Sequence, residues 1–269
     1  MPQAARSLAT ILAGLVLCGA IRSEAAEPSA DTIARGKVLV VAGNCAGCHT
    51  ADPAKPLAGG KRIDTRFGSF YTPNLTPDRE TGLGNWSDED FATALRRGVA
   101  PDGSRYFPAF PYPYFTRLIR DDILAIRAYL ATLEPVRAKP LPPELRFPFN
   151  FRLGMRLWNW LHLDPGFLMP DQSRGAEWNR GRYLVEGIGH CGTCHALKGL
   201  LGGDRGPSEF ATWLRSWSAE EIVEYLRSGR NARGDAGALM REVIDTSTSK
   251  MSDGDLRAIA NYLKSPFPH

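Results

Sequence analysis

Cys45-Ala46-Gly47-Cys48-His49 and Cys191-Gly192-Thr193-Cys194-His195 are the two stretches on which the reading of this 269-residue chain turns. They hold four of its five cysteines; the fifth, Cys18, lies in an apolar N-terminal run. Two thiols about a helical turn apart can add across the two vinyl groups of a haem, and the histidine that follows can swing beneath the ring to the iron. CxxCH is the attachment signature of c-type haem, and histidine is the common proximal ligand. A lone copy would also fit a zinc knuckle or a redox dithiol. Two copies with no other cysteine between or after them, far more widely spaced than the paired units of a zinc ribbon, favour two covalently bound haems c. Cys45, Cys48, Cys191 and Cys194 would carry them, with His49 and His195 on the irons.

The N-terminus reads as an export signal. Arg6 precedes an apolar stretch from Leu8 to Ile21, and Ser23-Glu24-Ala25 places small residues where a signal peptidase cuts. The alternatives are an uncleaved anchor and a lipoprotein attached through Cys18. The apolar run is short for a membrane span, and Leu17 is bulky where lipid attachment wants a small residue. The expectation is a signal peptide over residues 1–25, a periplasmic location and a soluble mature protein.

Length allows one large or two ordinary domains. Hydrophobic content of 43%, charged content of 23% and 20 prolines fit a globular protein with extended connections. The formal charge is +4, and the expected signal takes Arg6, Arg22 and Glu24 with it, leaving a small positive balance that haem carboxylates would largely cancel. Such a balance without a basic patch or motif argues against nucleic acid as a partner. A sequence pI near 8.8 is compatible with docking to an acidic protein.

An internal repeat organises the chain. Arg35-Gly36-Lys37-Val38-Leu39-Val40 precedes the first CxxCH, and Arg180-Gly181-Arg182-Tyr183-Leu184-Val185 the second. Trp86-Ser87-Asp88-Glu89-Asp90-Phe91, ending at Gly98, matches Trp217-Ser218-Ala219-Glu220-Glu221-Ile222, ending at Gly229. Asp122-Ile123 through Tyr129-Leu130 matches Asp255-Leu256 through Tyr262-Leu263. Ser87 with Asp90, Ser218 with Glu221 and Ser252 with Asp255 have capping-box spacing, and the two glycines sit where helices stop. Ile123, Ile126, Leu130 and Leu133 keep one apolar face. The expected class is all-α: two tandem helical domains, residues 31–136 and 175–268, each wrapped around a flat apolar cofactor.

Residues 137–174 join the halves. Pro140, Pro142, Pro143, Pro148, Pro165 and Pro170 argue against a long regular element at either end. Phe147, Phe149, Phe151, Trp158 and Trp160 imply packing on a domain surface, with a short helix near Leu153 to Leu161.

From about residue 31 to 266 the chain resembles the multihaem cytochrome c subunits of membrane-associated alcohol and gluconate dehydrogenases and their shorter two-haem relatives. The resemblance rests on Tyr71-Thr72-Pro73-Asn74-Leu75-Thr76-Pro77-Asp78, Phe107-Pro108-Ala109-Phe110-Pro111-Tyr112, Glu177-Trp178-Asn179-Arg180-Gly181 and Gly189-His190. It implies tandem cytochrome c-type domains and electron transfer from a periplasmic or membrane-associated dehydrogenase toward a cytochrome or terminal oxidase. Any membrane association would be peripheral, through the partner. The longer members carry a third haem domain, which is not expected here.

An electron-transfer haem commonly has methionine opposite its histidine. In the second half Met240 and Met251 are the candidates. Met240 is favoured, because it falls in the loop between the two matched helices and agrees with the ligand position of the sequences it resembles; Met251 reads as a helix-end residue packed on the core. The first half has neither methionine nor histidine between His49 and Met155, and the counterpart of Met240 falls within residues 107–110, which hold Phe107 to Phe110. In the resembling sequences that lack methionine here, it comes just after; here that position reads Thr116-Arg117-Leu118. The remaining options are Met155, Met169 or His162 from the connector, with Met155 foremost; Tyr106, Tyr112, Tyr114 or Lys61; or a five-coordinate iron.

His190 is read as a surface residue or a haem-carboxylate contact, and Arg35, Arg180, Lys61 and Arg62 as carboxylate partners or solvated charges. The leading function is electron transfer without bond chemistry. The rival is a di-haem enzyme such as a peroxidase, using an open first haem; a small-ligand sensor would use the same opening. A thiosulfate-oxidising enzyme with cysteine ligation would need a fifth mature cysteine.

Overall fold

A computed structural model describes residues 27–207 and 213–265. The expected signal peptide, residues 1–25, lies outside the described residues. The first half begins with α1 (Ala30–Ala42), whose first turn is capped by the Ser29 hydroxyl accepting from Thr32 N–H, and continues into α2 (Cys45–His49). A hairpin of β1 (Arg62–Thr65) and β2 (Gly68–Tyr71) follows, then α3 (Asp88–Arg97), α4 (Tyr112–Phe115) and α5 (Arg120–Ala131). The connector supplies β3 (Glu144–Leu145), which extends the hairpin along β2, and α6 (Gly154–His162). The second half contains α7 (Ala176–Tyr183), which runs on as a π-turn over Leu184–Ile188, α8 (Gly192–His195), and the ribbon β4 (Ala196–Lys198) with β5 (Asp204–Pro207). Then come α9 (Ala219–Ser228), the short ribbon β6 (Arg230–Asn231) with β7 (Gly234–Asp235), α10 (Ala238–Thr246) and α11 (Asp253–Lys264).

The expected all-α class is therefore corrected: helices dominate, but three small antiparallel sheets are present among the described residues. The physical reason is visible in the first hairpin. Ile63, Thr65, Phe70 and Tyr71 are β-branched or aromatic, and Gly68 takes φ 129°, a value that suits glycine at the turn. The capping reading fares well. Ser87 with Asp90 and Ser218 with Glu221 form reciprocal capping boxes, and Gly98 (φ 62°) and Gly229 (φ 76°) close α3 and α9 in the left-handed region.

In each half the first long helix crosses the last one at a glycine. A Cβ at Gly36 would stand 1.9 Å from the Ala125 carbonyl oxygen, and one at Gly181 would stand 1.9 Å from that of Ala258. Only a residue without a side chain lets the two backbones approach so closely. Beside each crossing an arginine meets an acid. Arg35 Nε donates to Asp122 Oδ1 at 2.5 Å, and Arg180 Nε donates to Asp255 Oδ1 at 2.8 Å.

The two halves share one apolar core. Leu39, Ile123 and Leu130 from the first half join Leu184, Ile188 and Tyr262 from the second, with Leu118 wholly buried among them. A fully buried side chain of this size contributes about 1.5–3 kcal/mol, so this junction holds the halves firmly. Polar contacts reinforce it: Tyr183 hydroxyl donates to Asp122 Oδ2 at 2.5 Å, and Arg117 Nη1 donates to Glu186 Oε2 at 3.3 Å. Among the described residues no helix is long and apolar enough to cross a membrane.

Candidate haem sites

The first attachment turn is shaped from both sides. Asn44 sits at φ 50°, and its side chain folds over Gly47, where a Cβ would lie 2.4 Å from Asn44 Oδ1. His49 Nδ1 lies 2.8 Å from the Pro73 carbonyl oxygen. A carbonyl only accepts, so Nδ1 carries the proton and Nε2 keeps its lone pair, the tautomer a metal-ligating imidazole needs. Burial depresses the His49 pKa and so favours this neutral form. The Pro73 carbonyl belongs to the Tyr71–Asp78 string, which gives that string a positioning role.

Burial pushes the Cys45 thiol up to about 12 and the Cys191 thiol up to about 11. Burial also raises Cys48; Lys61 pulls it back, and Cys194, from the other half, pushes it up again. The two CxxCH turns thus lie near one another. No disulfide joins the described cysteines, and no three His, Cys, Asp or Glu side chains gather into a metal cluster among the described residues.

Other side chains bring the turns together. His190 Nε2 lies 3.2 Å from the Gly43 carbonyl oxygen, and its ring meets Phe115 edge-on at 5.5 Å. This corrects the surface reading of His190: the residue ahead of the second site is fixed to the chain ahead of the first. Tyr114 fills the space that a side chain at Gly192 would take, since a Cβ there would be 2.5 Å from its hydroxyl. From α10, Thr246 Oγ1 donates to Asn44 Oδ1 at 2.6 Å, and Glu242 pairs with Lys61, whose Nζ also donates to the Gly47 carbonyl at 2.7 Å.

Met240 is half-buried within α10, not in a loop as the sequence implied; the run Ala238–Thr246 continues helically around it. Met251 packs against the apolar core, in keeping with the core role read for it. Arg35 and Arg180 are held by Asp122 and Asp255, Lys61 by Glu242, and Arg62 by Asp64 and Ser69, so each of the four is paired within the chain. The signal that sequence reasoning misses is the acid: Asp122 and Asp255 open matched blocks, as Arg35 and Arg180 do.

One fit to haem is also missed by sequence reasoning. Trp217 is 2% exposed and its Nε1 has no hydrogen-bond acceptor among the described residues. A buried indole N–H normally finds a partner, and a haem carboxylate would supply such an acceptor. The Trp-Ser pair repeated at Trp86 and Trp217 is the available clue.

Comparison with known proteins agrees with this geometry. The Cytochrome c family model matches residues 33–134 and 179–266. The chain is 39% identical over 251 residues to a "Diheme cytochrome c-type" protein of Cereibacter sphaeroides, covering 86% of this chain and 84% of that one. It is 39% identical over 254 residues to a nicotinate dehydrogenase subunit of Pseudomonas putida, covering 88% of this chain and 21% of that protein. It is 36% identical over 291 residues to the cytochrome c subunit of a quinone-dependent alcohol dehydrogenase of Gluconobacter oxydans, covering 98% of this chain and 60% of that protein. Both dehydrogenase subunits are thus far longer than the part this chain matches. With two regions of one family model, a near full-length relative and a histidine held for metal ligation, the chain belongs to the cytochrome c family, whose cofactor is covalently bound haem c.

Proposed function

We propose that this protein is a periplasmic di-haem electron carrier that takes electrons from a dehydrogenase partner and passes them to a cytochrome or terminal oxidase. The observation that carries the reading is the juxtaposition of two CxxCH turns, joined through His190 and Gly43, with α10 of the second half also bonded to the first turn through Thr246 and Asn44. Haem supplies a one-electron Fe(III)/Fe(II) couple; the chain's residues hold it, set its ligands and exclude water.

In this reading Cys45 and Cys48 hold one haem and Cys191 and Cys194 the other. His49 and His195 bind the irons from the attachment side, and Met240 supplies the sixth ligand of the second haem. Export by a cleaved signal over residues 1–25 fits this role, because haem is attached outside the cytoplasm. The relatives include cytochrome subunits of alcohol, fructose and gluconate dehydrogenases, which supports a dehydrogenase donor.

The test is the mass and redox titration of mature protein made with a working cytochrome maturation system. Two haems per chain and two one-electron steps, without peroxide turnover, are expected. A mass equal to the bare polypeptide overturns the reading, and rapid peroxide consumption moves it to the enzyme class.

A further inference from the structure

The first half lacks the methionine that an electron-transfer haem ordinarily uses, and the structure removes most of the substitutes. Tyr112 hydroxyl donates to Asn159 Oδ1 at 2.6 Å, and Tyr114 hydroxyl donates to Asp204. Burial raises the pKa of both, and pushes Tyr106 up to about 12. The hydroxyls of Tyr112 and Tyr114 are thus already committed to partners away from an iron. Lys61 is engaged by Glu242 and the Gly47 carbonyl. Met169 is 73% exposed, and His162 is exposed with its ring against Trp158 at 5.1 Å.

Met155 differs from all of these. It is 7% exposed on α6, a helix on which Leu157, Trp160 and Leu161 face solvent while Trp158 packs on Tyr112. Three residues before it, Arg152 Nη1 donates to the Arg105 carbonyl at 3.1 Å, and the guanidinium lies over Phe107. Four residues after it, Asn159 receives the Tyr112 hydroxyl. Within α6, which begins at Gly154, positions i and i+4 share one face, so Met155 lies on the face that Asn159 turns to Tyr112, beside the slot at 107–110 where a ligand methionine is missing. Asn159 Nδ2 is buried there without an acceptor among the described residues.

We infer that Met155, delivered by the connector helix, is the sixth ligand of the first haem, in place of the domain's own missing methionine. The inference rests on the two-haem reading above and makes the connector part of the first haem's coordination. It also closes the face that a peroxidase or small-ligand sensor would need open.

The experiment uses full-length holoprotein whose two haems are verified by mass, so that failure of haem attachment is read separately from failure of ligand assignment. The thioether-to-Fe(III) charge-transfer band is followed in the wild type, Met240→Ala, Met155→Leu and the double variant. Met155→Leu keeps the apolar volume and removes the sulfur. About half of the band is expected to survive in each single variant and none in the double. Reduced Met155→Leu should also bind carbon monoxide at one haem per chain, unlike the wild type. If Met155→Leu does not accumulate, Met155→His serves instead: loss of half the band with a low-spin iron retained and a lowered potential supports the assignment. A full band in either Met155 variant, or complete loss of the band in Met240→Ala alone, overturns it.

Discussion

His190 Nε2 lies 3.2 Å from the carbonyl oxygen of Gly43, so the residue just ahead of the second CxxCH touches the approach to the first. The carbonyl accepts, which makes Nε2–H the donor. The imidazole is also held by Phe115. This contact ties together two turns that are nearly 150 residues apart in sequence, and fixed separation is what a two-centre electron carrier requires.

His190→Ala is expected to leave both thioether attachments in place while loosening the junction. The loss of one buried hydrogen bond is about 1–2 kcal/mol. Denaturant titration should show a lower midpoint, and flash-initiated electron exchange between the haems should slow. An unchanged midpoint with unchanged exchange would remove His190 from the junction.

Gly36→Ala and Gly181→Ala test the helix crossings. Each new Cβ meets a carbonyl oxygen at 1.9 Å, and overpacking against backbone costs about 1–3 kcal/mol or more. Both variants should melt well below the wild type, whereas Gly166→Ala, which meets nothing within 4 Å, should change the melting temperature little. Equal melting of all three would be incompatible with the crossings described.

The capping boxes predict an acid-labile contribution to stability. Ser87 holds the Asp90 carboxyl below its ordinary 3.8, and Arg233, then the Ser218 N–H, hold Glu221 below its ordinary 4.5. In the unfolded chain these carboxyls bind protons first, so stability rises with pH there. It is fully present above the ordinary values and lost as pH falls through them toward the depressed ones. Asp90→Asn and Glu221→Gln should each flatten the fall of the denaturation midpoint over that range; an unaltered slope would count against the boxes.

Lys61 and Glu242 link the first attachment turn to α10. Their side chains are 31% and 42% exposed, so solvent screening limits the pair to a coupling of about 1 kcal/mol or less. A double-mutant cycle with Lys61→Met and Glu242→Gln should find a small coupling that shrinks with salt. A coupling of several kcal/mol, insensitive to salt, would show that the pair is buried more deeply than its exposure indicates.

Much of the local architecture is legible in the residues. The serine caps of α3, α9 and α11, the stops at Gly98 and Gly229, and the connector helix near Leu153 to Leu161 all follow from interactions spanning three or four positions. The strands escape a reading that weighs Arg62 to Tyr71 only for its charge and its family string, and not for its period of two. Met240 falls in an apparent loop because the matched blocks on either side stop short of it.

The residues alone carry what is chemical and local: two cysteine pairs at haem-attachment spacing, a histidine after each, and helices whose ends are written in their first and last turns. These depend on neighbours within a helical turn or two, so spacing alone encodes them. It took the folded chain to pair Arg35 and Arg180 with Asp122 and Asp255, to bring His190 to Gly43, and to set the connector against residues 105–112 through Arg152 and Asn159. Those pairings depend on how two bodies and a connector close over a shared core around Leu118, a relation that no short stretch of chain contains.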